Sequence, residues 1–311
     1  MMTETAHFHY RLGLNQPIAS PTARRIAEMA EAIGTESESR LRIDVFPESR
    51  LGPDPQMLAD LRAGALEFFV AGATLGDLAP TSALPLLPFA FKDSKAVFAA
   101  LDGALGDQIR GELARNGLHA LRRSWQNGFH HLTTGTRPIH AAADLKGLKI
   151  RSPGGAIARD FFETFGAEAG YVPFNQMYAA LRDRTFDGQS DPLGVVLSLK
   201  LYEVQTCLNL TGHWWSGFTL MANDGAWDAL PRDLQDIAAR NAETFALLQR
   251  ADTEQINAAA AEELAGRGMR IEKADAASFR KGLGDFYGRW RAKAGPEAWR
   301  LIERYADGLG G

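Results

Sequence analysis

The first 72 residues alternate between two hydrophobic periods, and that alternation narrows the fold more than any other feature of the chain. "FHYRLGL" (8–14) reads as a strand, and "SPTARRIAEMAEAI" (20–33) offers Ser20 as N-cap, Pro21 at the first helical position and apolar residues at helical spacing. "LRIDVF" (41–46) alternates as a strand does, and "DPQMLADLRAG" (54–64) is a helix closed by Gly64. "LEFFVAG" (66–72) is apolar with little alternation, as expected of a strand covered on both faces. Strands separated by helices in this way require a parallel sheet with crossover helices, an α/β architecture.

The pattern resumes further on. "SALPLLPFAF" (82–91) carries three prolines among apolar residues and reads as a rigid, buried connection. Helices are expected over 94–116, strands at 118–124 and 129–134, and a second α/β unit begins at "DLKGLKIRSP" (144–153). There "LKI" is a strand edged by Arg151, followed by a helix, the strand "AEAGYVPF", a helix capped by Asn175 and the strand "TCLNLTG". A helix free of internal glycine and proline runs from Pro231 to about Gly266, with helices near 275–293 and 296–307 behind it. With 311 residues the chain is long enough for two lobes, and the absence of any flexible linker predicts strand-like crossovers between them.

Several chemistries are excluded. The net charge of −4, with both signs interspersed and no basic run, gives no footprint for nucleic acid. No apolar stretch reaches the length of a membrane span, and "MMTETAHFHY" lacks the basic and apolar regions of an export signal. The single cysteine, Cys207, lies among apolar neighbours and reads as a buried thiol. No zinc-protease, nucleophile-elbow, dinucleotide or Walker signature occurs. His130 and His131 point to opposite faces of one strand, and His7 and His9 fall in a terminus expected to fray, so no metal site or cofactor is expected.

Arg151 is the most informative polar residue. In open α/β sheets ligands bind outside the carboxyl ends of the strands, where an arginine fork matches a carboxylate in plane and spacing. A surface ion pair is the plain alternative. Asp187, Gln189 and Asp191 in "DGQSDP" read as a turn, with Asp191 either capping the following helix or facing a ligand. "GHWWSGF" places Trp214 and Trp215 beside glycines, as hinge packing or as a lid over a flat ligand.

From "RIDVFPESRLGPDPQMLADLRAGALEF" through "LPLLPFAFKD", "DLKGLKIRSP" and "FNQMYAALRDRTFDGQSDPL" to "KLYEVQTCLNLTGH", the chain resembles the DctP-type solute-binding proteins of tripartite ATP-independent periplasmic (TRAP) transporters. The resemblance covers nearly the whole length. It implies a two-lobed periplasmic binding protein fold with hinge strands and a long helix spanning both lobes. Lobe I is expected over 7–125 and 213–252, lobe II over 126–212 and 253–311. It further implies a monomeric periplasmic receptor, its export signal removed, that passes a small carboxylate to a membrane permease.

In that family the arginine ending the "GLKIR" strand clamps the substrate carboxylate, and Arg151 takes its place here. The family's ligand-contacting asparagine in a "DGQENP"-like turn is replaced by Asp191, an acceptor-only group beside an anion. His131 falls closest to a second basic position of the family, with Phe129 beside it. Phe174, Trp214, Trp215 and Thr74 complete the expected wall, which favours an aromatic or hydrophobic monoacid and leaves dicarboxylates and sugar acids open. The rival readings are an enzyme using Asp191 and His131 as acid and base, and a ligand-sensing domain.

Overall fold

The computed structural model describes residues 7–307 and Leu309, so the end of the expected second lobe (308, 310 and 311) lies outside the described residues. The first lobe contains β1 (Phe8–Leu14), α1 (Pro21–Glu36), β2 (Leu41–Phe46), α2 (Asp54–Arg62), β3 (Phe68–Ala71), α3 (Ser94–Leu101), α4 (Ala104–Ala114) and β4 (Leu118–Ala120). A long strand, β5 (Trp125–Thr134), leads into the second lobe. There β6 (Lys149–Arg151), α5 (Ala156–Thr164), β7 (Glu168–Gly170), α6 (Met177–Arg182), β8 (Gly188–Pro192), α7 (Leu193–Ser198) and β9 (Cys207–Leu210) follow. β10 (Trp215–Asn223) returns to the first lobe, and α8 (Asp224–Asp228), α9 (Arg232–Gly266), β11 (Arg270–Lys273), α10 (Ala276–Gly282) and α11 (Phe286–Ile302) close the chain.

One continuous sheet path runs β2-β1-β3-β10-β5-β8-β6-β7. β1 pairs in parallel with β2 and β3, and β6 in parallel with β7 and β8, so each lobe is built around a three-stranded parallel unit. β10 and β5 run antiparallel between these units and are the hinge strands. Their pairing slips between Ser216 and Gly217, which leaves Asn127 as the bulged residue of β5. This is the mixed α/β, two-lobed fold that the sequence pattern predicts.

The elements form for local reasons. Ser20 Oγ accepts the Ala23 N–H at 3.1 Å and starts α1, whose Ile26, Met29 and Ile33 are buried with Leu12 and Leu14 of β1. The segment 83–90 is buried throughout, as its prolines imply, and includes a 3-10 turn over Pro80–Leu86. Helix α9 is tied to the first lobe by Arg25–Asp252 at 2.8 Å and by Arg250, which grips both oxygens of Asp102 at 2.7 and 2.9 Å. Its far end carries Ala260 and Leu264 into the second lobe's core with Met177, Val196 and Leu208. It therefore spans both lobes. Helix α11, kinked at Gly295 before Pro296, reaches back to the first lobe, where Tyr287 donates to the Pro88 carbonyl at 2.6 Å.

Four local readings are corrected. His9 is not in a frayed end: it lies within β1 and meets Asp44 at 2.6 Å. Asn175 does not cap a helix; it sits in the 3-10 turn Phe174–Gln176, and α6 starts at Met177. "GQSDP" is the buried strand β8 rather than a turn, held between β5 and β6. Asp191 is consequently not the cap of α7, whose N-cap is Pro192 with no side-chain bond.

Candidate functional site

The carboxyl ends of four parallel strands converge between the lobes. Asn15 and Gln16 follow β1, Gly72 and Ala73 follow β3, Arg151 ends β6 with Pro153 beyond it, and Tyr171 follows β7; all line one cavity. The hinge strands supply Asn127 and Ser216–Phe218, and Asp54, Phe174 and Asp191 complete the wall. The space left between these walls is small in this arrangement, about 30 Å³. A roomier groove of about 250 Å³ between α1, α7 and α9 shares Gln16 and Asn127 but has no ion pair among its lining residues, so the chemistry points to the interlobe cavity.

Arg151 and Asp191 form its centre. Both are 2% exposed, and Arg151 Nη1 donates to Asp191 Oδ2 at 2.9 Å. Among the described residues, Arg151 Nη2 reaches only the Val172 carbonyl at 3.5 Å, and Nε has no partner. The arginine thus keeps donors in hand after its ion pair. Its guanidinium lies 5.8 Å from the Phe174 ring centroid. Register explains the meeting: Arg151 pairs with Gln189 on β8, and Asp191 is two residues on, hence on the same face.

A second carboxyl faces the cavity from the start of α2. Asp54 accepts from Asn15 Nδ2 at 2.7 Å, and its other oxygen has no partner among the described residues. Burial pushes Asp54 up to about 6, against the opposing pull of Asn15 and Arg151. Asp191 also rises to about 6, because the cost of burying its charge outweighs the arginine beside it. Burial likewise raises Tyr171, at the mouth, to about 12.

Behind the wall runs a chain of buried polar groups. Asn127 Nδ2 donates to Ser216 Oγ at 3.1 Å, Ser216 Oγ meets His130 Nε2 at 2.7 Å, and His130 Nδ1 meets Ser190 Oγ at 3.0 Å. Ser190 Oγ meets His213 Nε2 at 2.9 Å, and His213 Nδ1 meets Thr211 Oγ1 at 2.6 Å. Burial holds both histidines well below their ordinary range, so they are neutral and link the hydroxyls as hydrogen-bonding bridges.

Of the residues singled out from the sequence, Arg151, Asp191 and Phe174 meet at the cavity. Thr74 sits one residue beyond the lining Ala73, beside Gly154, its buried hydroxyl without a partner among the described residues. Phe129 and His131 lie on β5 outside the lining; His131 Nδ1 accepts the Gly212 N–H at 3.0 Å, and burial pushes the ring down to about 4. Trp214 packs against Phe161, Phe162, His130 and His213, and Trp215 packs against Phe98, so neither tryptophan faces the cavity. Asn15, Asp54, Asn127 and Ser216 escaped the sequence reading. Asp54 carried a signal, as an acid at the start of a helix that follows a strand's carboxyl end, but its burial is a tertiary property.

The lobes touch across the cavity mouth. Asp77, from the first lobe, accepts the N–H of Ala156 at the start of α5 at 3.0 Å, and a Cβ on Gly155 would stand 2.9 Å from the Ala73 carbonyl. Comparison with known proteins identifies this arrangement. Residues 13–293 match the family described as "Bacterial extracellular solute-binding protein, family 7" (DctP). The chain belongs to this family. Among curated relatives it is 34% identical over 215 residues to the 2,3-diketo-L-gulonate-binding periplasmic protein YiaO of Escherichia coli, 69% of this chain and 65% of that protein. It is 30% identical to the C4-dicarboxylate-binding protein DctB of Bacillus subtilis, over 68% of this chain and 61% of that one. The chain therefore spans a little under two thirds of the length of both relatives.

Solved DctP structures agree over nearly the whole chain. The sugar acid binding protein DctPAm from Advenella mimigardefordensis, in complex with galactonate, superposes with a TM-score of 0.92 at 27% identity, covering 97% of this chain and 99% of that one. A TRAP periplasmic solute-binding protein from Polaromonas, bound to D-erythronate, gives 0.90 at 28% identity, covering 96% and 98%. DctP proteins are solute receptors rather than enzymes. Asp191 and His131 point apart, one into the cavity and one to Gly212, so they do not form the acid–base pair of the rival reading.

Proposed function

We propose that this DctP protein is a periplasmic receptor that closes on a small hydroxylated monocarboxylic acid and delivers it, as a monomer, to the membrane permease of a TRAP transporter. The observation that carries the reading is Arg151: a cation 2% exposed, at the carboxyl end of a parallel strand, lining an interlobe cavity with a donor left unpaired. A carboxylate is the anion whose plane and spacing that fork matches. Asn15, Gln16, Asp54, Asn127, Asp191 and Ser216 supply acceptors and donors around it, which suits hydroxyls along the acid's chain. The tryptophans that favoured an aromatic acid stand behind the wall, and Phe174, Tyr171 and Phe218 supply the apolar face against which carbon–hydrogen edges pack.

The relatives that bind galactonate, D-erythronate and diketo-L-gulonate support this class. A thermal-shift panel of D-galactonate, D-erythronate, succinate and benzoate, on protein unfolded and refolded to strip carried-over ligand, tests it. Hydroxylated monoacids are expected to raise the melting temperature most. No shift with any acid overturns the reading. Delivery is tested by uptake into vesicles carrying the permease, with and without the receptor.

A further inference from the structure

The charges facing the cavity do not balance for an acid. Arg151 is the one cation among the lining residues, and Asp191 and Asp54 are two carboxyls, so an incoming carboxylate makes three acids for one arginine. Asp191 already occupies one guanidinium nitrogen at 2.9 Å, and Asp54 turns an unpartnered oxygen to the same buried site. The remaining ionisable groups nearby do not correct the sum. Tyr171 on the loop after β7 is neutral, and His130 and His131 on β5 and His213 before β10 are held neutral by burial. Asn15 and Gln16 after β1, Asn127 on β5 and Ser216 on β10 carry no charge.

We propose that the cavity takes its acid together with at least one proton, held by the Asp191 and Asp54 carboxyls, and that it therefore selects hydroxylated monocarboxylates over dicarboxylates. The inference rests on the acid-receptor reading given above. The proton comes from solvent: a carboxylate oxygen of Asp191 or Asp54 takes it to become a neutral acid, no other bond changes, and the new O–H becomes a donor toward an oxygen of the ligand. Asp191 then no longer repels the carboxylate that shares Arg151 with it. A neutral carboxyl in such a position also discriminates. It accepts from a hydroxyl and donates to an oxyanion, but it cannot offset the second charge of a dicarboxylate. Burial has already brought both groups close to neutral pH, which makes the uptake inexpensive.

Two measurements decide it. In the ligand-free protein, carbon NMR of the labelled aspartate carboxyls, assigned with Asp191→Asn and Asp54→Asn, is expected to show both titrating well above the ordinary value of about 3.9. Titration of both near that value overturns the proton site. Calorimetry with D-galactonate between pH 6 and 8 is then expected to show affinity falling up to about tenfold per pH unit, with proton uptake detected as a dependence on buffer ionisation heat. Asp191→Asn should bind D-galactonate more tightly than wild type at pH 8 with a shallower pH dependence, and Asp191→Asn/Asp54→Asn should gain affinity for succinate. Tight D-galactonate binding with flat pH dependence in the wild type overturns the proposal and leaves the receptor reading standing. Failure of D-galactonate and every other acid to bind at any pH overturns the receptor reading, and the carboxyl titration then decides the proton site alone.

Discussion

Asp77 of the first lobe caps a helix of the second: its Oδ1 accepts the Ala156 N–H at 3.0 Å, the first such group of α5. The bond joins the two lobes, so parting them at this point is expected to break it, as a latch on the cavity mouth would. Asp77→Ala is expected to speed ligand release by about fivefold, the effect of losing one helix cap, while the association rate holds. Stopped-flow release of bound acid measures it, and an unchanged release rate removes the latch.

Gly155 makes the same contact tighter. Its φ of +84° suits glycine, and an added Cβ would stand 2.9 Å from the Ala73 carbonyl of the opposite lobe. Gly155→Ala should therefore leave the far-ultraviolet circular dichroism unchanged but weaken acid binding by tenfold or more. Wild-type affinity in this variant would mean that the lobes grip the ligand without this approach.

Arg151 and Asp191 carry a two-part prediction. Arg151→Ala should cost about 30-fold to several-thousand-fold in acid affinity, as expected when one member of a buried charged pair is truncated. It also strands Asp191 in the core, which destabilises the fold by about 3–5 kcal/mol unless the carboxyl takes up a proton. Arg151→Ala/Asp191→Asn should recover stability in urea and still bind no acid. Binding restored in the double variant would dissociate the arginine from ligand recognition.

The pH dependence of folding follows from the same buried groups. Asp191 stands at about 6 in the fold against an ordinary 3.8, so its contribution is full below 3.8 and is lost as pH rises towards 6. His130, His131 and His213 are lowered from 6.5 and work the other way: the fold loses stability as pH falls from 6.5 through their folded values. The two sets oppose each other between about 4 and 6. Asp191→Asn removes one acid from this balance, so its stability relative to wild type should rise by about 3 kcal/mol between pH 4 and pH 8. Urea midpoints across that range check it, and a constant difference refutes the raised carboxyl.

The parallel units and the position of Arg151 were legible because they depend on local signals: Ser20 and Pro21 start a helix, "LKI" makes a strand, and a charged residue at its carboxyl end has somewhere to point. Strand β8 was not legible. "GQSDP" is composed of turn formers, and only its place between β5 and β6 makes it a strand, with Gln189 bonded to Thr133, Ser190 to His130 and Asp191 to Arg151. Neighbours remote in sequence bond each of those polar side chains, although Gln189 Oε1 has no partner among the described residues. His213 was hidden in the same way, beside two tryptophans that drew attention as a lid and serve instead as packing.

Gln249 on α9 takes the place of a neighbouring strand. Its Oε1 accepts the Gln126 N–H at 2.8 Å and its Nε2 donates to the Gln126 carbonyl at 2.6 Å, with Thr22 and Thr253 as further partners at 2.9 Å. Gln249→Leu strands buried backbone groups and should lower the unfolding free energy by about 2–5 kcal/mol, measured in urea. Wild-type stability in this variant would show that the clasp contributes nothing.

Eight residues further along the same helix, Asn257 Nδ2 holds the carbonyl of the very next strand residue, Asn127, at 3.0 Å. Two anchors on one stiff rod thus grip β5 on either side of a single peptide bond, at the bulge where its pairing with β10 slips. Sliding of one lobe along the other would have to break both anchors, whereas rotation about the bulge breaks neither. The floor of the cavity, at Asn127 and Ser216, is therefore expected to keep a constant depth as the lobes rotate, which leaves the mouth to adjust to the length of its guest.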